Sequence, residues 1–319
     1  MIQTNWVVER LQQQWPMLEI SIERISTRGD RVQDAPLSQL GGDGIFVKEI
    51  ERALHEGRID LAVHSLKDLP TAQPDGLYLV TAGPREDVRD VFVFQHSPLF
   101  PVPARDDLSG THAVAPLRVG TCSLRRTAQV QALYPDAQIL SLRGNVDTRL
   151  RKLDAGEYDC IVLASAGLHR LGLQEQLADR LAYLPVDSMM PAPGQGALAL
   201  ETRDEPEMRE LVAPLTDSVV QATTSAERMF MRRLGAGCYL PVAAYGEVLD
   251  ETLRLRGLVI SLDGRQQVRV EQHMHWTPAT SIEHAEKLGI ALAEEALSKG
   301  ADAIIQSLNR IMTQEQQHV

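Results

Sequence analysis

Apolar positions along the chain change period several times, and each change marks an element. Val7, Val8, Leu11 and Trp15 recur at helical spacing and predict a helix over residues 6–15, whereas LEISIERI at 18–25 alternates as a strand does. A glycine-bearing loop at 41–44 precedes a second helical period over 45–54. Residues 59–63 and 77–82 read as short buried strands, and another strand opens at 91–94. Three strand–loop–helix units follow in succession. Their strands fall at 117–120, 139–142 and 159–165, and their helices end near Tyr134, over 147–153 and over 168–172. This alternation is the signature of an α/β fold with parallel strands and crossover helices. The stretch 95–116, with Pro98, Pro101, Pro103 and Pro116, reads as a surface loop.

The pattern shifts after about Val219. A helical period over 223–234 stops at Gly235-Ala236-Gly237-Cys238. Alternating stretches follow at 242–248, 253–260 and 267–272, then a long helical period over 281–298. This part predicts a smaller α+β domain, with antiparallel strands covered by a helix. At 319 residues the chain exceeds a usual single core, so two or three domains are expected.

Charge is spread unevenly over this pattern. The chain has a formal net charge of −11, yet between residues 118 and 152 seven basic residues meet only Asp136 and Asp147. In GTCSLRR, Thr121 and Ser123 are both good helix N-caps, so Arg125 and Arg126 fall in a first helical turn. The helix dipole opposes cations there by about 0.3–1 kcal/mol each. A tandem pair is reasonable where an anion reverses that local field; a solvated basic helix end is the bland alternative. Repetition favours the anion. Arg143 and Arg149 follow the next strand and Arg170 the one after, beyond the carboxyl ends of strands, where ligands bind in open α/β sheets. Five guanidiniums gathered there suit a ligand with several carboxylates or phosphates, because arginine makes permanently charged, bidentate contacts.

Composition removes several function classes. Aromatic residues make up 4%, too few for stacking platforms on single-stranded nucleic acid, and a pI near 5.3 disfavours a phosphate-backbone binder. No apolar run approaches bilayer length and no cleavable signal is visible, so a cytoplasmic protein is expected, with neither membrane nor nucleic acid as a partner. Three cysteines are too few for a disulfide framework, and nine histidines show no ligand spacing, so no metal site is expected. Neither GxGxxG nor GxxxxGKS/T is present, which leaves a nucleotide site without support.

Two further places carry candidate chemistry. IDLAVHSLKDLP at 59–70 leaves a strand with His64, Ser65, Lys67 and Asp68. Alone it reads as a strand exit with a solvated Lys–Asp pair. Laid over an arginine cleft, Asp68 would become an acid–base or cation-stabilising group, better at stabilising a transient cation than at donating a proton. Among the cysteines, Cys122 precedes a helix start beside two arginines, a setting that favours thiolate chemistry. Cys160 opens an apolar strand and reads as core, and Cys238 sits on a glycine-flanked loop able to present a side chain to a cleft. Local physics ranks Cys122 slightly ahead of Cys238 and puts a structural part ahead of a reactive one for both.

Eight stretches, in order and spacing, resemble one family. They are STRGD (26–30), GGDGIFVKEIE (41–51), AVHSLKDLP (62–70), GTCSLRR (120–126), LRGNVDTRL (142–150), IVLASAGLHRLG (161–172), PGQGALALE (193–201) and GAGCYLP (235–241). Together they make the chain similar to porphobilinogen deaminase (hydroxymethylbilane synthase) over nearly its whole length. The resemblance implies two periplasmic-binding-protein-like α/β lobes, 1–83 with 197–216 and 88–192, plus a smaller α+β C-terminal domain over 219–319. It implies a dipyrromethane cofactor held as a thioether at Cys238, reversing the local ranking of Cys122. It makes Asp68 the catalytic carboxylate. It assigns Arg125, Arg126, Arg143, Arg149 and Arg170 to the acetate and propionate groups of cofactor and growing chain, and matches Ser65, Lys67, Thr121 and Ser123 to cofactor-contacting positions. The implied reaction deaminates porphobilinogen to an electrophilic azafulvene, joins four such units to the cofactor's free pyrrole α-carbon, and releases hydroxymethylbilane. The enzyme is expected to be a monomer.

One departure stands out. Family members begin with a strand and an R-x-S-x-L-A-x-x-Q loop, whereas this chain opens at Met1-Ile2-Gln3-Thr4, so the first strand of lobe 1 is expected upstream, together with an anion contact. The rivals are a noncatalytic two-lobed polyanion binder, which explains the arginines but neither Asp68 nor Cys238, a truncated and impaired deaminase, and a nucleic-acid-binding module, against which the acidic total and scarce aromatics speak.

Overall fold

The computed structural model describes residues 1–25, 47–97, 116–235 and 240–317. The STRGD motif, most of GGDGIFVKEIE, most of the proline-rich stretch and Cys238 lie outside the described residues.

Helix α1 (Ile2–Gln14) buries Val7 and Leu11, and α2 (Lys48–His55) buries Ala53 and Leu54. Strands β1 (Leu61–Ser65) and β2 (Leu77–Ala82) lie on either side of β8 (Leu198–Arg203), and both pair with it antiparallel. The stretch 18–25 forms neither strand nor helix. Among the described residues it has no ladder to join, and only Leu18 and Ile20 pack on the core.

Between β2 and β8 the chain leaves for a second sheet and comes back. That sheet has the order β5-β4-β6-β3-β7, built from β3 (Asp90–Phe94), β4 (Arg118–Gly120), β5 (Gln138–Leu140), β6 (Cys160–Ala164) and β7 (Leu181–Tyr183). The crossover helices are α3 (Leu124–Leu133) and α4 (Val146–Asp154), with the short α5 (Ser165–Arg170) after β6. Strands β4, β5 and β6 run parallel as the alternation predicts, but β3 pairs antiparallel with both β6 and β7. The reason is connectivity. A strand that enters from another lobe without a crossover helix is free to run against its neighbour.

Helix α6 (Pro206–Val212) follows β8, and α7 (Ser218–Arg233) leads into the third unit. There β9 (Val242–Leu249), β10 (Thr252–Ile260) and β11 (Gln267–His275) form an antiparallel sheet covered by α7, α8 (Ile282–Ser298) and α9 (Ala301–Gln317). Apolar periodicity anticipates each of these strands and α8. No helix among the described residues is long and apolar enough to cross a membrane.

One carboxylate joins the parts. Glu227 of α7 is fully buried, and its two oxygens accept from Arg85 Nη1 and Nη2 at 2.7 and 2.9 Å. They also accept the backbone N–H groups of Gly194 and Gly246, each at 2.7 Å. Arg85 belongs to the first passage between the lobes, Gly194 to the second and Gly246 to β9. The two passages also bond directly: Arg85 Nε donates to the Gln195 carbonyl at 2.9 Å, and the Glu86 N–H donates to the Gly196 carbonyl at 3.2 Å.

Helices α7 and α8 approach closely at Gly289, where an added β-carbon would stand 2.2 Å from the Ala226 carbonyl oxygen. Gly289→Ala is therefore expected to destabilise the protein by about 1–3 kcal/mol, the usual penalty of overpacking. Denaturant unfolding followed by circular dichroism measures it, and an unchanged midpoint would contradict this contact.

Candidate active site

Strand β1 ends at the interlobe cleft and delivers Ser65, followed by one 3-10 turn over Leu66–Asp68. The turn is fixed from beneath. Leu66 is buried, and its N–H donates to the Ala197 carbonyl at 3.1 Å. Gly194 lies against it with φ +75, and a β-carbon there would come within 2.8 Å of Leu66 Cγ, so this position accepts glycine alone. Arg228 of α7 holds the far side, donating to the carbonyls of Leu69 at 3.3 Å and Pro70 at 2.7 Å. Below the strand, buried His64 meets buried Glu201 of β8 at 3.2 Å. Asp68 is left exposed on a braced turn.

Opposite stand the ends of three parallel strands. After β4, Ser123 is the N-cap of α3 and accepts the Arg126 N–H, while Thr121 Oγ1 accepts the Ser123 N–H at 3.1 Å. Arg125 and Arg126 thus fall in the first turn, as the sequence predicts. After β5, Asn145 caps α4 by accepting the Thr148 N–H at 2.9 Å, and Arg149 Nε donates to the Gly144 carbonyl at 2.7 Å. After β6, Arg170 at the end of α5 donates to the Gly196 carbonyl at 2.7 Å.

These elements enclose a cavity of about 260 Å³ between the lobes. Ser65, Lys67 and Asp68 line one side, Arg126, Arg149 and Arg170 the other, and Gly194, Gly196 and Ala197 the floor. Of the five arginines singled out by sequence, three therefore reach this wall. Arg143 lies off it on the loop after β5, and Arg125 is 5% exposed behind Arg126. Thr121 and Ser123 also stand back from the wall, shaping the turn that aims Arg126. Cys122 is half-buried near Arg149, and Cys160 is sealed in the sheet, where burial pushes its thiol up. Cys238 falls between Gly235, which ends the α7 region, and buried Leu240, outside the described residues.

The electrostatics of the wall are one-sided. Burial lowers the Arg149 and Arg170 pKa values, and neither guanidinium forms an ion pair with a carboxylate among the described residues. Burial likewise pushes the Lys67 ammonium down to about 8, with the Arg126 guanidinium adding to the effect and Asp68 opposing it. Among the described lining residues, Lys67 beside Asp68 and the three arginines opposite outnumber the one carboxylate, and in a partly desolvated cleft they form a receptor for a multiply charged anion.

Sequence reasoning missed several contributors. Gln3 of α1 lines the cavity and its Nε2 donates to Ser65 Oγ at 3.2 Å; nothing in its helical setting marks it. Asp90 did leave a signal: a lone acid opening the apolar run DVFVF can be buried only with a partner, and its partners are the two tandem arginines.

Comparison with known proteins places the whole chain in one family. Residues 1–210 match the model "Porphobilinogen deaminase, dipyromethane cofactor binding domain", and residues 222–298 match "Porphobilinogen deaminase, C-terminal domain". Among curated relatives, porphobilinogen deaminase of Syntrophotalea carbinolica is 44% identical over 96% of this chain and 92% of its own length. That of Roseiflexus castenholzii is also 44% identical, covering 96% and 94%, and that of Carboxydothermus hydrogenoformans is 41% identical, covering 97% and 93%. A slight likeness of shape extends to the second substrate binding domain of a putative amino acid ABC transporter from Streptococcus pneumoniae. It is 15% identical with a TM-score of 0.39, covering 65% of this chain and 78% of that one. With family models spanning both the two-lobed part and the third unit, the chain belongs to the porphobilinogen deaminase family.

Proposed function

We propose that this chain is a hydroxymethylbilane synthase that deaminates four molecules of porphobilinogen and joins them head to tail into a linear tetrapyrrole. The observation that carries the reading is the convergence of Lys67, Arg126, Arg149 and Arg170 around Asp68 in one interlobe cleft. Every pyrrole unit of the substrate bears an acetate and a propionate, so a lengthening product needs many cations and few competing carboxylates. The wall has that balance, and the dipyrromethane group, which bears the same side chains, fits it equally well.

In this reading Cys238 holds the dipyrromethane as a thioether, and the bound group supplies the nucleophilic pyrrole carbon. Lys67, Arg126, Arg149 and Arg170 bind carboxylates and fix the rings relative to Asp68. Asp68 accepts hydrogen bonds from pyrrole N–H groups and stabilises the positive charge that develops as each amine leaves, a preorganised electrostatic role. Its bracing by Leu66, Gly194 and Arg228 keeps that charge in place without reorganisation. Ser65, Thr121 and Ser123 orient the loops that carry these groups, and Arg125 acts from behind Arg126. Arg143, off the wall, serves a longer chain than a cavity of about 260 Å³ holds.

The division into 1–83 with 197–216, 88–192 and 219–319 belongs to the same proposal, and the membership of the three sheets supports it. The proposal also has the enzyme working as a cytoplasmic monomer, with neither nucleic acid nor membrane as partner; sedimentation at working concentration tests the oligomeric state.

The intact mass of the purified protein should exceed the polypeptide by two linked pyrrole units, and Cys238→Ser should lose that increment. An unmodified wild-type mass would contradict the covalent attachment. Asp68→Ala should keep the adduct and the fold yet lose turnover by about 10²–10³-fold or more, as when a preorganised charge-stabilising group is removed. A wild-type rate in that variant would rule out the role.

Lys67 gives a pH signature. As pH rises through about 8 its ammonium loses a proton, the wall loses a positive charge and affinity for carboxylates falls. KM for porphobilinogen should therefore rise above pH 8, and Lys67→Arg, which stays charged, should abolish that limb. A limb that survives in Lys67→Arg would assign it to another group.

A further inference from the structure

Asp90 is the first residue of β3 and has no exposed surface. Its Oδ1 accepts from Arg126 Nε at 3.2 Å, Arg126 Nη2 at 2.8 Å and Gln195 Nε2 at 3.0 Å. Its Oδ2 lies 2.7 Å from Arg125 Nη1, an ion-pair contact without the alignment of a hydrogen bond. Burial alone would raise the Asp90 carboxyl, but the Arg125 and Arg126 guanidiniums hold it far below the usual carboxylate range. The tandem arginines therefore carry an internal counter-anion, and the dipole penalty at the start of α3 is met first by the protein itself.

The two arginines have different settings. Arg125 Nη1 also donates to the Met190 carbonyl at 2.7 Å, and its guanidinium is kept off the cleft. Arg126 donates Nη1 to the Val162 carbonyl at 3.0 Å and its Nε and Nη2 to Asp90, and it still lines the cleft. Of the five guanidinium N–H groups of an arginine, this leaves one on Nη1 and one on Nη2 of Arg126 for a ligand. Asp90 is thus a clamp on one edge of Arg126, and Arg125 supplies the second cation that leaves the trio with a single net positive charge.

We propose that Asp90 and Arg125 are positioning residues: together they aim Arg126 at the ligand carboxylate and set the charge it presents to one. This rests on the functional reading above. Asp90→Asn leaves two guanidiniums competing for one amide oxygen, so Arg126 is displaced. Arg125→Met leaves Arg126 fully neutralised. In Asp90→Asn/Arg125→Met, Arg126 is the one guanidinium left on the amide oxygen, beside the Gln195 amide, and the net charge returns to one.

The test compares the wild type with these three variants and Arg125→Lys, reading the adduct-bearing fraction by intact mass and then kcat and KM of the loaded enzyme. Each single variant, Asp90→Asn and Arg125→Met, should load less of the adduct or show KM for porphobilinogen raised about tenfold, the cost of one charge-assisted hydrogen bond, with kcat changed less. The double variant and Arg125→Lys should recover, whatever their melting temperatures. A double variant no better than Asp90→Asn, or an Arg125→Met enzyme with wild-type loading and KM, overturns the proposal. Should Asp90→Asn fail to fold, the contrast of Arg125→Met with Arg125→Lys decides by the same readouts. A wild type without adduct or turnover would instead overturn the functional reading, so the two failures are distinct.

Discussion

Glu227 is a charge with no access to water, and such a group is tolerable only when every lone pair is met. Its two oxygens are met by Arg85 and by two backbone N–H groups, and those donors come from three different parts of the chain. The consequence is that both passages between the lobes are tied to the helix that opens the third unit. Gly194 and Gly196, which form the floor of the cleft, and Leu66, which supports the Asp68 turn, take their positions from that junction. The cleft is therefore not a gap between independent bodies. Its floor is part of a buried polar network that fails if any one donor is withdrawn, because an unpaired buried carboxylate costs far more than a hydrogen bond contributes.

The cations of the wall are handled differently. Arg149 and Arg170 rest on backbone carbonyls, which orient a guanidinium without cancelling its charge. Lys67 sits close enough to Asp68 and Arg126 to feel both. Cations left partly desolvated and uncancelled raise the energy of the empty cleft and lower it on binding an anion. Among the described residues, Arg126 alone on this wall is paired with a buried acid of the protein, so its position is set by the fold rather than by the ligand.

Much of this was legible in the sequence. The three strand–loop–helix units, the N-cap at Ser123, the first-turn placement of Arg125 and Arg126 and the antiparallel character of the third unit all follow from short-range pattern, because periodicity and capping are local rules. The antiparallel entry of β3 and β8 was not legible, since it depends on which lobe the chain has just left. Residues 18–25 have the alternation of a strand, but alternation specifies a face and not a neighbour, and without a ladder the segment stays irregular. At the site, the basic cluster predicted an anion receptor, while the division of labour between Arg125 and Arg126 depended on an acid at residue 90, distant in sequence. Gln3, Glu227 and Arg228 gave no signal because their partners are brought to them only by the tertiary fold.

Gly196 lies at φ +88, and a side chain there would collide with the Glu86 carbonyl, 2.4 Å from its first carbon. The outbound and returning passages consequently run as a two-ply strap, main chain on main chain. A doubled strap resists shear and stretch but yields to bending, and both plies must bend about the same line. A polymer growing in the cleft on one side of that line would act as a wedge, so the lobes would answer by swinging about the strap rather than by sliding apart.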